Sequence, residues 1–205
     1  MTHGPLLPVA VLGSGRGSNF LALADAIDRG EIPARIVLVA SDLPHAPILE
    51  HAAARGLPTY VCPTGKFKTK LEPEIESALA QTIRHSGAKL VVLAGYMRVL
   101  KSPLLQPFAG RILNIHPSLL PAFKGLEAWK QALDAGVAET GCTVHWVDDS
   151  LDGGPIIRQE KVPVLPGDSA TTLHARIQEA EHRLLPAVVA DLARGGIPWP
   201  DQGGF

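Results

Sequence analysis

A chain of 205 residues, 46% hydrophobic and 19% charged, is long and apolar enough to bury one sizeable core, which excludes a disordered polypeptide. Its 19 basic and 20 acidic residues give a formal net charge of -1 with no basic tract, so no polynucleotide partner is expected and any anion site must be local. No apolar run approaches the roughly 20 residues of a membrane span, and Met1–Pro5 lacks the charged segment and long apolar stretch of a secretory signal, so a cytoplasmic protein with no membrane partner is expected.

Val9–Leu12 is a short apolar run ending in a glycine cluster, which predicts a buried strand. Phe20, Leu23, Ala24 and Ile27 follow at helical spacing, with Gly30 placed to close the helix. Ile36–Val39 predicts a second buried strand, ending at Ser41-Asp42. Pro47–Arg55 predicts a helix stopped by Gly56, and Pro58–Cys62 an edge strand, since a proline opens it. Glu72–His85 reads as a helix, Leu90–Leu93 as a further buried strand, and Ile112–Ile115 as another. Strands alternating with helices imply parallel pairing and right-handed crossovers. Apolar runs without alternation imply a sheet covered on both faces. The fold class is therefore α/β, a doubly wound and mostly parallel sheet.

From Thr143 the pattern changes. Thr143–Val147 and Ile156–Val164 flank a turn-rich stretch, which predicts an antiparallel C-terminal part. Leu173, Ile177, Leu184, Val188 and Leu192 then mark a long C-terminal helix starting near Ser169, with a kink expected at Pro186. Gly195–Phe205 is expected to be irregular. No repeat or distinct linker divides the chain, so residues 1–205 are expected to be one domain. Cys62 and Cys142 offer neither metal-ligand spacing nor a disulfide framework, and are expected to be reduced thiols in or near the core.

Two segments carry chemistry. Gly13-Ser14-Gly15-Arg16-Gly17-Ser18-Asn19 joins the first strand to the first helix. Glycines let backbone amides approach an anion, and a helix N-terminus adds unpaired N–H groups and partial positive charge. A phosphate is the expected ligand, while a tight turn with Ser18 or Asn19 as the helix cap is the plainer alternative. The spacing is neither G-x-G-x-x-G nor a nucleotide P-loop. Asp42, at the end of the second strand, keeps a dinucleotide-binding alternative open. The second segment is Asn114-Ile115-His116-Pro117-Ser118-Leu119-Leu120-Pro121. Asn114 and His116 are two apart at a strand end and so share a face. An amide that can hold an oxyanion beside an imidazole that can move a proton suits acyl transfer. Asp152, in Asp152-Gly153-Gly154-Pro155, is the carboxylate that can hold the imidazole in its charged form.

The whole string, with Asp152-Gly153-Gly154-Pro155, resembles the signature of the formyltransferases that use 10-formyltetrahydrofolate, and the resemblance runs from Val9 to about Ala190. Within that group the chain is most similar to the branch that formylates glycinamide ribonucleotide. The resemblance implies a triad of Asn114, His116 and Asp152, with 10-formyltetrahydrofolate as co-substrate and no metal. It also implies small-molecule substrates and a monomer or homodimer. Gly17, Ser18 and Asn19 match the positions that contact the substrate phosphate. Lys70 stands where the family has an arginine, with Lys66 and Lys68 as alternatives on the same segment. Glu181 matches a position that bonds the ribose hydroxyls, whereas His174 on the same helical face reads as solvated. Met97, Arg98, Val99 and Leu100 match the stretch that lines the pterin pocket, with Val147 on the opposite wall. Thr143 and His145 match supporting positions. A cis Leu120–Pro121 bond is implied too, and Lys124 stands where the family often has proline. Other enzymes of the same fold that use this folate, a nicotinamide oxidoreductase and a phosphosugar-binding regulatory module are the competing readings.

Overall fold

A computed structural model describes residues 4–63 and 65–200. In chain order these form β1 (Leu7–Leu12), α1 (Ser18–Asp28), β2 (Ala34–Ser41), α2 (Pro47–Ala54), β3 (Thr59–Val61), α3 (Pro73–His85) and β4 (Leu90–Leu93). They continue through α4 (Ser102–Leu105), β5 (Ile112–His116), α5 (Ala128–Asp134), β6 (Glu139–Trp146), β7 (Ile156–Pro163) and α6 (Ala170–Ala193). The strands make one sheet in the order β3-β2-β1-β4-β5-β6-β7. β1 to β5 pair in parallel, and β6 and β7 pair antiparallel. β3, which follows Pro58, is an edge strand, as expected.

Alternation along β1 divides the core in two. Val9 and Val11 face α1, α2 and α6, whereas Ala10 and Leu12 face α3 and α4. All four residues are fully buried. Each such aliphatic side chain withdrawn from water contributes about 1.5–3 kcal/mol for the larger ones, before the entropy of ordering is set against it. Burial also holds the free Cys62 thiol up at about 11 and Cys142 at about 12, so both are neutral core thiols.

Two details differ from the sequence reading. Neither Ser18 nor Asn19 caps α1; the residue at the cap is Gly17, at φ 77°, and no side chain bonds there. α4 and α5 were not anticipated. α6 contains Pro186 within its span, and Leu184, Leu185, Val188 and Val189 on both sides of it are buried. Residues 195–200 contain neither helix nor strand, as expected, and the rest of the tail lies outside the described residues. Leu120–Pro121 is cis.

The sheet order reverses between β1 and β4, which opens the crevice where open α/β sheets bind ligands, beyond the carboxyl ends of their strands. The glycine loop follows β1, Gly95 follows β4, and Asn114 and His116 end β5. The turn to antiparallel pairing completes that crevice. Its register sets Asn114 opposite His145 and His116 opposite Thr143, and carries the β6–β7 loop with Asp152 back over the strand ends.

Candidate active site

His116 is buried, 4% exposed, and its ring is fixed from two sides. Nε2 lies 2.9 Å from the Phe123 carbonyl, which can only accept, so Nε2 carries a proton and donates it there. Nδ1 lies 3.5 Å from Asp152 Oδ2. A proton on Nδ1 therefore meets a carboxylate. Asp152 is held by its own geometry: its φ is 47°, and Oδ2 accepts from the Gly125 N–H at 2.8 Å. Asp152 thus ties the β6–β7 loop to the 119–127 loop. That second loop has Phe123 at φ 56° and Glu127 at φ 52°, two non-glycine residues in the left-handed region.

Asn114 has its amide orientation set by His145. The His145 Nδ1–H donates to the Trp146 carbonyl at 2.8 Å, which leaves Nε2 as an acceptor. Asn114 Nδ2 donates to that nitrogen at 3.1 Å. Burial, opposed by the Trp146 bond and by Asp152, lowers the His145 pKa from its ordinary value and keeps it in the neutral form this contact needs. One Nδ2 hydrogen is spent on His145 and the other is left for a ligand. Thr143 is a spacer for the turn after β5. Its hydroxyl donates to the Ser118 carbonyl at 2.6 Å and accepts from the Leu120 N–H at 3.1 Å and from Gln159 Nε2 at 2.8 Å. Of the two residues expected in supporting roles, His145 touches Asn114 and Thr143 touches the loop that follows His116.

On the other side of the crevice, Asp42 is not free for a ribose. It is 2% exposed, accepts from the Ser14 hydroxyl, and pairs with Arg98 Nε at 2.6 Å. Arg98 also donates to the Phe67 carbonyl at 2.5 Å, and the Met97 N–H donates to Ser14 Oγ at 2.9 Å. The acid that kept the dinucleotide alternative open is therefore a strut joining β2, the glycine loop and the 95–100 segment. Met97 is half exposed beside this strut, and Val99 donates to the Thr69 carbonyl at 2.8 Å. Leu100 is buried in the α3 side of the core, and Val147 packs partly buried against that same cluster. Of the expected pterin-lining stretch, Met97 presents its side chain outward, whereas Arg98 and Leu100 turn theirs inward.

Gly17 needs its hydrogen side chain twice over. Its φ is 77°, and a Cβ there would sit 2.8 Å from Ile48 Cβ. Gly17→Ala is expected to cost about 1–2 kcal/mol for the backbone alone, and more for the contact with Ile48. A drop in melting temperature measures it, and an unchanged one refutes the close packing of this loop on α2.

Glu181 is 5% exposed, with Oε2 accepting from Asn19 Nδ2 at 2.9 Å. Burial lifts its carboxyl from the ordinary 4.5 to about 7, against the lowering effect of the Asn19 bond. The folded protein therefore retains a proton that the unfolded chain has released, so stability declines as pH rises from about 4.5 to about 7. Glu181→Gln removes this cost. It is expected to raise the melting temperature at pH 8, by a free energy of at most about 3 kcal/mol, and to leave it nearly unchanged at pH 4.5. Equal melting curves at pH 8 would contradict this. A carboxylate that weakens its own fold is a candidate for function.

The remaining candidates are spread along the rim. Lys70 is exposed, its Nζ 4.6 Å above the Phe67 ring, on the same exposed segment as Lys66 and Lys68. His174, read as solvated, is half buried and stacked on Trp129, ring centroids 3.7 Å apart and 5° from parallel. Arg16 lies exposed on the glycine loop. Sequence reasoning missed the Phe123 carbonyl, the Gly125 N–H, Gln159 and Trp129. Only Trp129 carried a usable signal, as the one Phe, Tyr or Trp between Phe123 and Trp146. Among the described residues no cluster of three His, Cys, Asp or Glu is placed to hold a metal, and no helix is long and apolar enough to cross a membrane.

The profile of the formyl transferase family matches residues 7–189. The phosphoribosylglycinamide formyltransferase of Haemophilus influenzae is 40% identical over 194 residues, 95% of this chain and 91% of its own length. The trifunctional purine biosynthetic protein adenosine-3 of Drosophila pseudoobscura pseudoobscura is 45% identical over 199 residues; this chain spans 14% of that longer protein. Glycinamide ribonucleotide transformylase 1 from Symbiobacterium toebii, a solved structure, superposes with a TM-score of 0.91 at 42% identity, covering 98% of this chain and 93% of its own.

Proposed function

The chain belongs to the formyl transferase family, and from that premise we propose that it moves the formyl group of 10-formyltetrahydrofolate onto the amino group of glycinamide ribonucleotide, as a step of purine biosynthesis. The observation that carries this reading is Asp152 facing His116 Nδ1 at 3.5 Å, with Asn114 two residues before His116 on the same strand face. The substrate amine attacks the formyl carbon, forming a C–N bond, and the carbonyl oxygen becomes an oxyanion. The free Asn114 Nδ2–H donates to that oxyanion. His116 Nε2–H, now bonded to Phe123, turns its proton to the substrate when the 119–127 loop gives way. His116 gives that proton to the leaving folate nitrogen as the old C–N bond breaks, and the emptied Nε2 then takes the proton released by the attacking nitrogen, while Asp152 accepts from Nδ1–H and holds the ring. Each such donor is worth about 2.7–4 kcal/mol.

In this reading the amides of Gly17, Ser18 and Asn19 at the α1 N-terminus take the phosphate. Lys70 or a neighbouring lysine adds charge without the bidentate fork of an arginine. Glu181 takes ribose hydroxyls. Met97, Val147 and the backbone of 98–100 face the pterin. The whole chain acts as a single domain, in the cytoplasm, as a monomer or homodimer.

The purified protein, incubated with glycinamide ribonucleotide and a 10-formyl folate, is expected to release deformylated folate, followed by absorbance. Deformylation that proceeds equally well without the ribonucleotide would point to a hydrolase of the same fold instead. None at all would sink the reading.

A further inference from the structure

The Asn19 side chain does not suit the phosphate that its position suggests. Asn19 lies in the first turn of α1, yet it is only 8% exposed and reaches across to α6, where Nδ2 donates to Glu181 Oε2 at 2.9 Å. Its Oδ1 is buried and has no partner. With Glu181 ionised, as above about pH 7, the amide cannot be reversed to satisfy it, because Oδ1 would then oppose a carboxylate oxygen. A buried acceptor left unpaired costs about 1–3 kcal/mol, which an arriving donor recovers. A phosphate offers acceptors; a sugar hydroxyl offers a donor. Oδ1 and the unused lone pairs of the adjacent Glu181 carboxylate together make two neighbouring acceptors, which match a vicinal diol.

We propose that Asn19 acts through its side chain as a positioning and specificity residue for the ribosyl group, with Nδ2 fixing the Glu181 carboxylate and Oδ1 accepting from a sugar hydroxyl, while only its backbone N–H serves the phosphate. This rests on the function proposed above. It assigns the orphaned oxygen a ligand, and gives the buried Asn19–Glu181 link between α1 and α6 a purpose beyond packing.

The experiment is calorimetric titration of the intact protein with glycinamide ribonucleotide and with its 2′,3′-dideoxy counterpart. Asn19→Ala is expected to lose about 10-fold in affinity for the ribonucleotide, the upper end for one hydrogen bond between neutral groups, and to bind the dideoxy compound as the unaltered protein does. Equal losses for both ligands would make the side chain a phosphate contact and overturn the proposal, as would no loss for either. Asn19→Asp sets two carboxylates face to face and is expected to lose more. Combining Asn19→Asp with Glu181→Gln restores an N–H···O link in the reverse direction, the amide on α6 now donating to the carboxylate on α1. The pair should recover most of the ribonucleotide affinity in a double-mutant cycle. Strict additivity of the two changes would also overturn the proposal. If the unaltered protein neither binds nor formylates the ribonucleotide, both this inference and the functional reading fall; turnover with sugar-independent losses removes this inference alone.

Discussion

His116→Ala is expected to lower turnover by roughly 10²–10⁴-fold, the range for a lost general acid–base group, and to change the affinity for either substrate little. The reason is where the imidazole acts. In the resting structure both ring nitrogens are engaged by the protein itself, Nε2 by the Phe123 carbonyl and Nδ1 by Asp152. The ring therefore contributes little to holding a ground-state substrate, and its worth lies in the charge and protons that appear only in the transition state. A fall in kcat and in kcat/KM by the same factor is the signature of such a residue. The variant also frees the Phe123 carbonyl, so its melting curve is needed beside the kinetics: a large loss of activity with near-parental stability supports the chemical role. A rise in KM with kcat kept would make His116 a binding residue, and near-normal turnover would remove it from the mechanism.

The strand–helix alternation was legible because burial on both faces leaves uninterrupted apolar runs, and every long element announced itself by period. α4 escaped because four residues cannot show a period. α5 escaped because Glu127 enters it at a positive φ, with no side-chain cap to mark the start. Asn114 and His116 were readable as a pair because the two-residue period of a strand fixes their common face. What surrounds them was not. The Asn114–His145 contact depends on antiparallel register, and the Phe123 carbonyl is backbone, which no residue type betrays. Asp42 misled because an acid after the second strand has the same sequence appearance whether it is open to a ribose or closed by Arg98, 56 residues away. The Asn19 side chain was hidden in the same manner, since only the packing of α1 against α6 brings it to Glu181.

Asp152→Asn is expected to cost turnover on the order of 10²–10⁴-fold while leaving the fold nearly intact, and the geometry says why these two effects come apart. Asparagine tolerates the left-handed backbone that Asp152 adopts at φ 47°. Its amide oxygen can keep the bond from the Gly125 N–H that Oδ2 now accepts at 2.8 Å. What disappears is the negative charge facing His116 Nδ1, together with the second acceptor oxygen. The oxygen that keeps the Gly125 bond is the one facing His116 Nδ1, so the new Nδ2 takes the place of Oδ1, which lies 3.9 Å from His145 Nε2. Nδ1 keeps an acceptor but loses the carboxylate that favours the charged ring, so a ring meant to become positive in the transition state is held neutral. Nitrogen-15 spectra of His116 in both proteins distinguish the states. Asp152→Ala is the control, since it removes the charge and also the Gly125 tie, and it places alanine where φ is positive. It is expected to match Asp152→Asn in lost turnover but to melt at a lower temperature. If Asp152→Asn keeps full turnover and the same ring state, Asp152 is a loop residue that anchors Gly125, and the His116 ring works without it.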